Sequence, residues 1–149
     1  MTELYKTVFY DRHVNLGANI VEFGGWEMPI QYDSGIVQEH LATRKHAGLF
    51  DVSHMGRFVI SGKDSLAFLQ YVLSNNAAAL EIEESQYTII PNEIGGAIDD
   101  AYLYRFVEDE YLLVVNASNR EVDWNHLNLH LKKFKEVKMV DRTIDLAMI

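Results

Sequence analysis

Cysteine is absent from the 149-residue sequence, which excludes disulfides, thiolate zinc sites, iron–sulfur ligation and a cysteine nucleophile. Proline is scarce, with two residues beside nine glycines, so neither a disordered nor a fibrous chain is expected. Positive charge is also in short supply: thirteen Lys and Arg stand against twenty-two Asp and Glu, for a formal net charge of −9. A balance of that sign opposes binding to a phosphate backbone, so nucleic acid is not an expected partner. No run of about 18 apolar residues is present to span a bilayer, and residues 1–19 lack the basic start and apolar centre of a signal peptide. These absences predict a cytoplasmic protein with no membrane partner.

What is present is apolar material, 48% of residues against 23% charged, enough for the core of one ordinary domain. Residues 4–16 suit a short helix stopped by Gly17, and residues 20–23 read as extended. Gly24 and Gly25 then open a structured turn that runs through Trp26, Glu27, Met28 and Pro29. From Ser34 as N-cap, Val37 and Leu41 share one face with Ile36 and His40 beside them, a helix of about three turns ending near Gly48.

Residues 57–60 are strand-like, and Leu66, Phe68, Leu69, Val72 and Leu73 trace an amphipathic helix. Residues 86–90, 97–106 and 111–115 read as a three-stranded antiparallel meander with turns at 92–96 and 108–110. Trp124, Leu127, Leu131 and Phe134 then recur at helical spacing, and residues 137–140 start another strand. The order predicts an α+β fold, a largely antiparallel sheet with flanking helices. Residues 146–149 form an apolar strand-like run that ends without turn or cap, so the chain is expected to be truncated there.

Among polar residues, the pair Asp99 and Asp100 stands out because it follows Gly95 and Gly96 inside a strand pattern. Alternation puts Asp99 with Ala97, Ala101 and Leu103, and Asp100 with Ile98, Tyr102 and Tyr104, so the two carboxylates are not expected to share a pocket. Burial among small apolar neighbours would raise the Asp99 carboxyl and suit it to hydrogen bonding or proton transfer; a solvated pair beside a turn is the plainer alternative.

His126 and His130 have metal-ligand spacing on a helix, but the Glu of a zinc-protease helix is missing between them, and two exposed or half-exposed histidines are expected. Asp51, Ser53 and His54 lie too close along an extended segment to form a hydrolase triad, leaving a structural His54 and a core Met55. Tyr87, Tyr102, Tyr104 and Tyr111 are either stacking surfaces for a flat heterocycle or core tyrosines.

Several runs appear in a fixed order: Phe23-Gly24-Gly25-Trp26-Glu27-Met28-Pro29, Glu39-His40-Leu41-Ala42 and Ala47-Gly48-Leu49-Phe50-Asp51-Val52-Ser53-His54-Met55-Gly56. They continue with Gln86-Tyr87-Thr88, Gly95-Gly96-Ala97-Ile98-Asp99-Asp100 and Val114-Val115-Asn116-Ala117-Ser118-Asn119-Arg120. Together they resemble the N-terminal region of glycine cleavage T-proteins, tetrahydrofolate-dependent aminomethyltransferases. The resemblance implies transfer of the one-carbon unit from the aminomethyl-lipoyl arm of H-protein to tetrahydrofolate, with release of ammonia and no metal.

It also implies Asp99 as the catalytic acid and Met55, Tyr87, Val115 and Asn116 as folate contacts. The implied layout is the first part of a discontinuous lobe at residues 1–50, a folate-binding α+β subdomain with ferredoxin-like elements at 51–140, and a return to the first lobe at 141–149. Two alternatives stand beside it: a folate-binding module without transferase activity, and a folate-dependent demethylase. Family members are much longer, so the chain is expected to represent an N-terminal portion and, by itself, to bind folate weakly.

Overall fold

The computed structural model describes residues 3–149, and the chain separates into two compact units, Met1–His54 with Ile144–Ile149 and Met55–Thr143. The first unit contains β1 (Tyr5–Lys6), α1 (Tyr10–Asn15), β2 (Asn19–Phe23), β3 (Trp26–Gln31) and α2 (Ile36–Lys45). β3 is central in a three-stranded sheet, antiparallel to β2 and parallel to β1.

Four expectations are corrected in this unit. Residues 4–16 are not one helix: Tyr5 and Lys6 pair with Trp26 and Glu27, and the helix starts at Tyr10. Residues 26–29 are strand, because Gly24 and Gly25 complete the reversal themselves, with φ of 58° and 85° in the left-handed region that glycine enters freely. The cap of α2 is Gly35 and not Ser34, whose hydroxyl donates to Glu39 at 3.4 Å, and no residue of α2 is buried. Periodicity identifies the apolar side of a helix without showing that anything covers it. Residues 146–149 form no strand; the Val52 N–H donates to the Met148 carbonyl at 3.0 Å, and Ser53 Oγ bonds the same residue's main chain. These main-chain and hydroxyl bonds at Met148 hold the segment without a ladder.

The second unit follows the predicted pattern closely, with β4 (Gly56–Ser61), α3 (Ser65–Val72), β5 (Ser85–Pro91), β6 (Ala97–Val107), β7 (Glu110–Val115), α4 (Arg120–Leu131) and β8 (Lys138–Asp141). Its sheet is antiparallel throughout, in the order β5-β6-β7-β4-β8. With β5 set aside as an added edge, the chain order β4-α3-β6-β7-α4-β8 on the spatial order β6-β7-β4-β8 is ferredoxin-like, as the α+β reading requires.

The core lies between one sheet face and the two helices. Phe58 and Ile60 of β4, Leu103 of β6 and Leu113 of β7 are fully buried there with Leu69 of α3 and Leu127 of α4. Each such side chain contributes about 1.5–3 kcal/mol relative to exposure. Trp124 and Leu131 flank Leu127, and Phe134, past the helix end, meets the Phe68 ring edge-on at 5.6 Å. Gly62 lets β4 turn into α3: its φ is +117°, and a Cβ there would stand 2.2 Å from the Glu136 carbonyl oxygen.

The β5–β6 turn sets the position of the two acids. Asn92 Oδ1 accepts the N–H groups of Ile94 at 3.1 Å and Gly96 at 2.8 Å. The ladder then pairs Pro91 with Ala97 but Ile90 with Asp99, leaving Ile98 as the extra residue of a bulge. The alternation is therefore reset. Ala97 is exposed, not on the face of Asp99 as expected, and Ile98 packs against the core instead. Beyond the bulge Asp99, Ala101 and Leu103 point inward and Asp100 and Tyr102 outward.

Leu103→Ala is expected to destabilise the protein by about 2–5 kcal/mol through cavity formation, and Tyr102→Ala on the other face by about 1 kcal/mol or less. Urea unfolding checks both; equal losses would contradict the alternation along β6.

Candidate functional site

The bulge delivers Asp99 to the end of the sheet, buried at 8% exposure, beside the point where β7 stops. Asn116, the first residue past β7, grips it twice. Its N–H donates to Oδ2 at 3.2 Å and its amide Nδ2 to Oδ1 at 2.8 Å. Asn116 caps the 3₁₀ turn Ala117–Asn119 that leads into α4, and the Asn119 side chain adds another hydrogen bond to Asp99. The same Asn116 Nδ2 lies 2.9 Å from Asp100 Oδ1. The two carboxylates thus leave the strand on opposite faces yet meet at one amide, because the sheet ends there and a side chain from the next residue of β7 reaches around its edge. The opposite faces are those expected from alternation; the shared amide is an addition that alternation does not show.

Burial pushes the Asp99 carboxyl up, but the hydrogen bonds from Asn116 and Asn119, an interaction with Asp123 and the Asn116 N–H outweigh it, and the group is held below the usual Asp range. The expected rise is therefore reversed: burial came with donors. Asp123 of α4 goes the other way. It is wholly buried, and burial first, then Asp99 and the charge of Asp100, push its carboxyl up to about 8. Sequence reasoning missed this residue, although a signal existed. Asp123 stands one helical turn before Leu127 on the apolar seam of α4, where an acid is out of place.

The remaining expected site residues are distributed around this pair. Tyr87 is 54% exposed on the outer face with its cross-strand partner Tyr102, and its phenol is pushed up by a hydrogen bond to Asp100 first of all. Val115 pairs with Ala101 and its side chain is wholly buried on the Asp99 side of the sheet. Met55 is half-buried just before Gly56, which pairs with Val115, and its carbonyl accepts from Arg57 Nη1 at 2.8 Å. Asp99 and Asn116 are in direct contact, Tyr87 joins them through Asp100, and Val115 and Met55 are neighbours along the chain and ladder.

Other candidates resolve differently. The His126 and His130 rings are 4.7 Å apart, and His130 is buried where an exposed or half-exposed ring was expected, because Tyr71 of α3 packs against it at 5.5 Å. Among the described residues no group of three or more His, Asp or Glu is placed to hold a metal ion, and no helix is long and apolar enough to cross a membrane. Asp51 accepts the Ser53 N–H at 2.9 Å and is also hydrogen-bonded by the Ser53 side chain. A further partner is distant in sequence: His13 Nε2 lies 2.9 Å from Asp51 Oδ2, and His13 Nδ1 lies 2.8 Å from the Tyr32 hydroxyl. These three border a cavity of about 670 Å³ within the first unit.

Residues 9–149 match the family described as GCVT N-terminal domain. The chain is similar to an aminomethyltransferase of Thermus thermophilus, 49% identical over 144 residues that make up 97% of this chain and 41% of the relative. It is also similar to an aminomethyltransferase of Desulfitobacterium hafniense, 45% identical over 149 residues, all of this chain and 40% of that one. The crystal structure of glycine cleavage system aminomethyltransferase T from Bartonella henselae superposes with a TM-score of 0.88 at 39% identity, covering 93% of this chain and 38% of that one. The chain spans about two fifths of the length of the curated relatives it matches.

The acid limb of stability follows from three hydrogen-bonded carboxylates. Burial opposes ionisation of Asp51, Asp99 and Asp141, but hydrogen bonds dominate at each and all three are held below the ordinary value of 3.8. A folded-state value below the unfolded one means that the unfolded chain binds more protons. Their contribution is present above about pH 4 and is lost as pH falls through the folded-state values. Unfolding free energy measured in urea at a series of pH values is expected to drop below about pH 4, and less steeply in Asp51→Asn. An unchanged slope in that variant would contradict the assignment.

Proposed function

The chain belongs to the GCVT N-terminal domain family, and from that premise we propose that it forms the folate-binding part of a tetrahydrofolate-dependent aminomethyltransferase of the glycine cleavage system. In this reading the one-carbon unit passes from aminomethyl-lipoyl H-protein to tetrahydrofolate with release of ammonia, in the cytoplasm, and residues 51–140 carry the folate site. The observation that supports it best is the Asp99 carboxylate, held anionic at a sheet end by two donors of Asn116.

The residues present suit tetrahydrofolate. An anionic carboxylate and an amide match the N–H and carbonyl edges of a pterin, and the exposed phenol rings of Tyr87 and Tyr102 beside them offer flat stacking surface. Tetrahydrofolate supplies the nucleophilic nitrogen that receives the one-carbon unit. Asp99 accepts a hydrogen bond from the N–H at that centre, orients it, and takes up proton density as it reacts.

Asn116 makes room for this. A carboxylate has about four acceptor positions, and the lone pair that Nδ2 occupies on Asp99 can pass to an incoming N–H without stranding the amide. Asp100 Oδ1 stands ready as its alternative acceptor at 2.9 Å. Asp100 is thus a holder for Asn116 and not a participant in the transfer.

Asp99→Asn is expected to cut single-turnover transfer from aminomethyl-lipoyl H-protein about a hundredfold or more, the scale of a lost acid–base or orienting group, with Asp100→Asn affected far less. Equal impairment of the two variants, or full activity in Asp99→Asn, would overturn the assignment.

A further inference from the structure

Asp123 is the buried group that the proposed reaction leaves without a task. It sits on the inward face of α4 with no exposure to solvent, and neither of its carboxyl oxygens has a hydrogen-bond donor. An ionised carboxylate in that position would have lost its water and gained nothing in exchange. Asp99 is the acid it faces, and two ionised carboxylates present only acceptors to each other, so no hydrogen bond joins them in that state. One proton converts the facing oxygens into a donor and an acceptor; the Asp123 oxygen that carries it gains a partner, and the other becomes a neutral carbonyl oxygen, whose burial costs far less than that of a charge.

The surroundings favour placing that proton on Asp123. Asp99 already has the donors, Asn116 from the end of β7 and Asn119 from the turn before α4. The charges felt at Asp123 are those of Asp99 and Asp100, both on β6, and both oppose its ionisation. The cation in the same turn of α4, Arg120, is engaged by Asp141 at 2.7 Å.

We propose that Asp123 is the proton-bearing partner of Asp99, a positioning residue that donates a hydrogen bond to it from behind the sheet, fixes its orientation and keeps it ionised for the transfer proposed above. The inference rests on that reading for what Asp99 does, while the shared proton is a property of the fold alone. The direction of both titrations agrees: Asp99 is held low by this interaction among others, and Asp123 is held high.

The test is a carboxyl ¹³C NMR titration of the full chain labelled at aspartate, for the unsubstituted protein, Asp123→Asn and Asp123→Leu. One resonance is expected to titrate at about 8, and the Asp99 resonance below the usual range. Asp123→Asn, which retains a neutral donor, deletes the upper titration and leaves Asp99 low; Asp123→Leu, with no donor, moves the Asp99 midpoint upward by about one pH unit or more. If every aspartate of the unsubstituted protein titrates in or below the ordinary range, or the Asn and Leu variants shift Asp99 alike, the proposal fails.

No substrate enters this measurement, so its outcome separates from that of the transferase reading. Paired titration with undiminished transfer by Asp99→Asn contradicts the reading and keeps the pair. Ordinary titration with an Asp99-dependent transfer contradicts the pair and keeps the reading.

Discussion

The site depends on one contact, the double grip of Asn116 on the Asp99 carboxylate. An anion on the buried face of a sheet is stable only if donors replace its water. Asn116 provides two such donors because it is the first residue released from the β7 ladder, so that its N–H is not committed to a neighbouring strand. The position of Asp99 opposite it is fixed in turn by the Ile98 bulge and by the Asn92 turn that starts β6. Removal of the bulge would shift every later residue of β6 by one and carry Asp99 to the outer face.

The same contact divides the labour between three acids. Asp99 collects donors and is ionised; Asp100 stays on the wet side and shares the Asn116 amide; Asp123 receives burial and two negative neighbours and keeps its proton. Chemically equivalent side chains within one cluster are thereby given different protonation states by their surroundings, the general means by which proteins assign acid and base roles at neutral pH.

Much of this unit was legible in the sequence because its signals are local. Runs of β-branched, aliphatic and aromatic residues mark β4 and β7, alternation marks β6, and the spacing of Trp124, Leu127 and Leu131 marks α4. The bulge at Ile98 was not legible, since one inserted residue leaves the apolar pattern of Ala97 to Leu103 almost unaltered while changing which face Ala97 occupies. Nor were contacts between distant residues: His13 meets Asp51 across 38 positions, and nothing in either neighbourhood announces the other. The Asp99 carboxyl was expected to rise because burial is visible in a pattern, whereas the donors that lower it come from Asn116 and Asn119 on another element. Asp123 was readable in principle as an acid on an apolar seam.

A double-mutant cycle on Asp99→Asn and Asn116→Ala, measured by urea unfolding at neutral pH, tests the central contact most directly. If Asn116 holds the carboxylate as described, the two substitutions are strongly non-additive, with a coupling of about 1–3 kcal/mol. Additivity within about 0.5 kcal/mol would show that Asn116 does not hold Asp99, and the account of the site would fall with it.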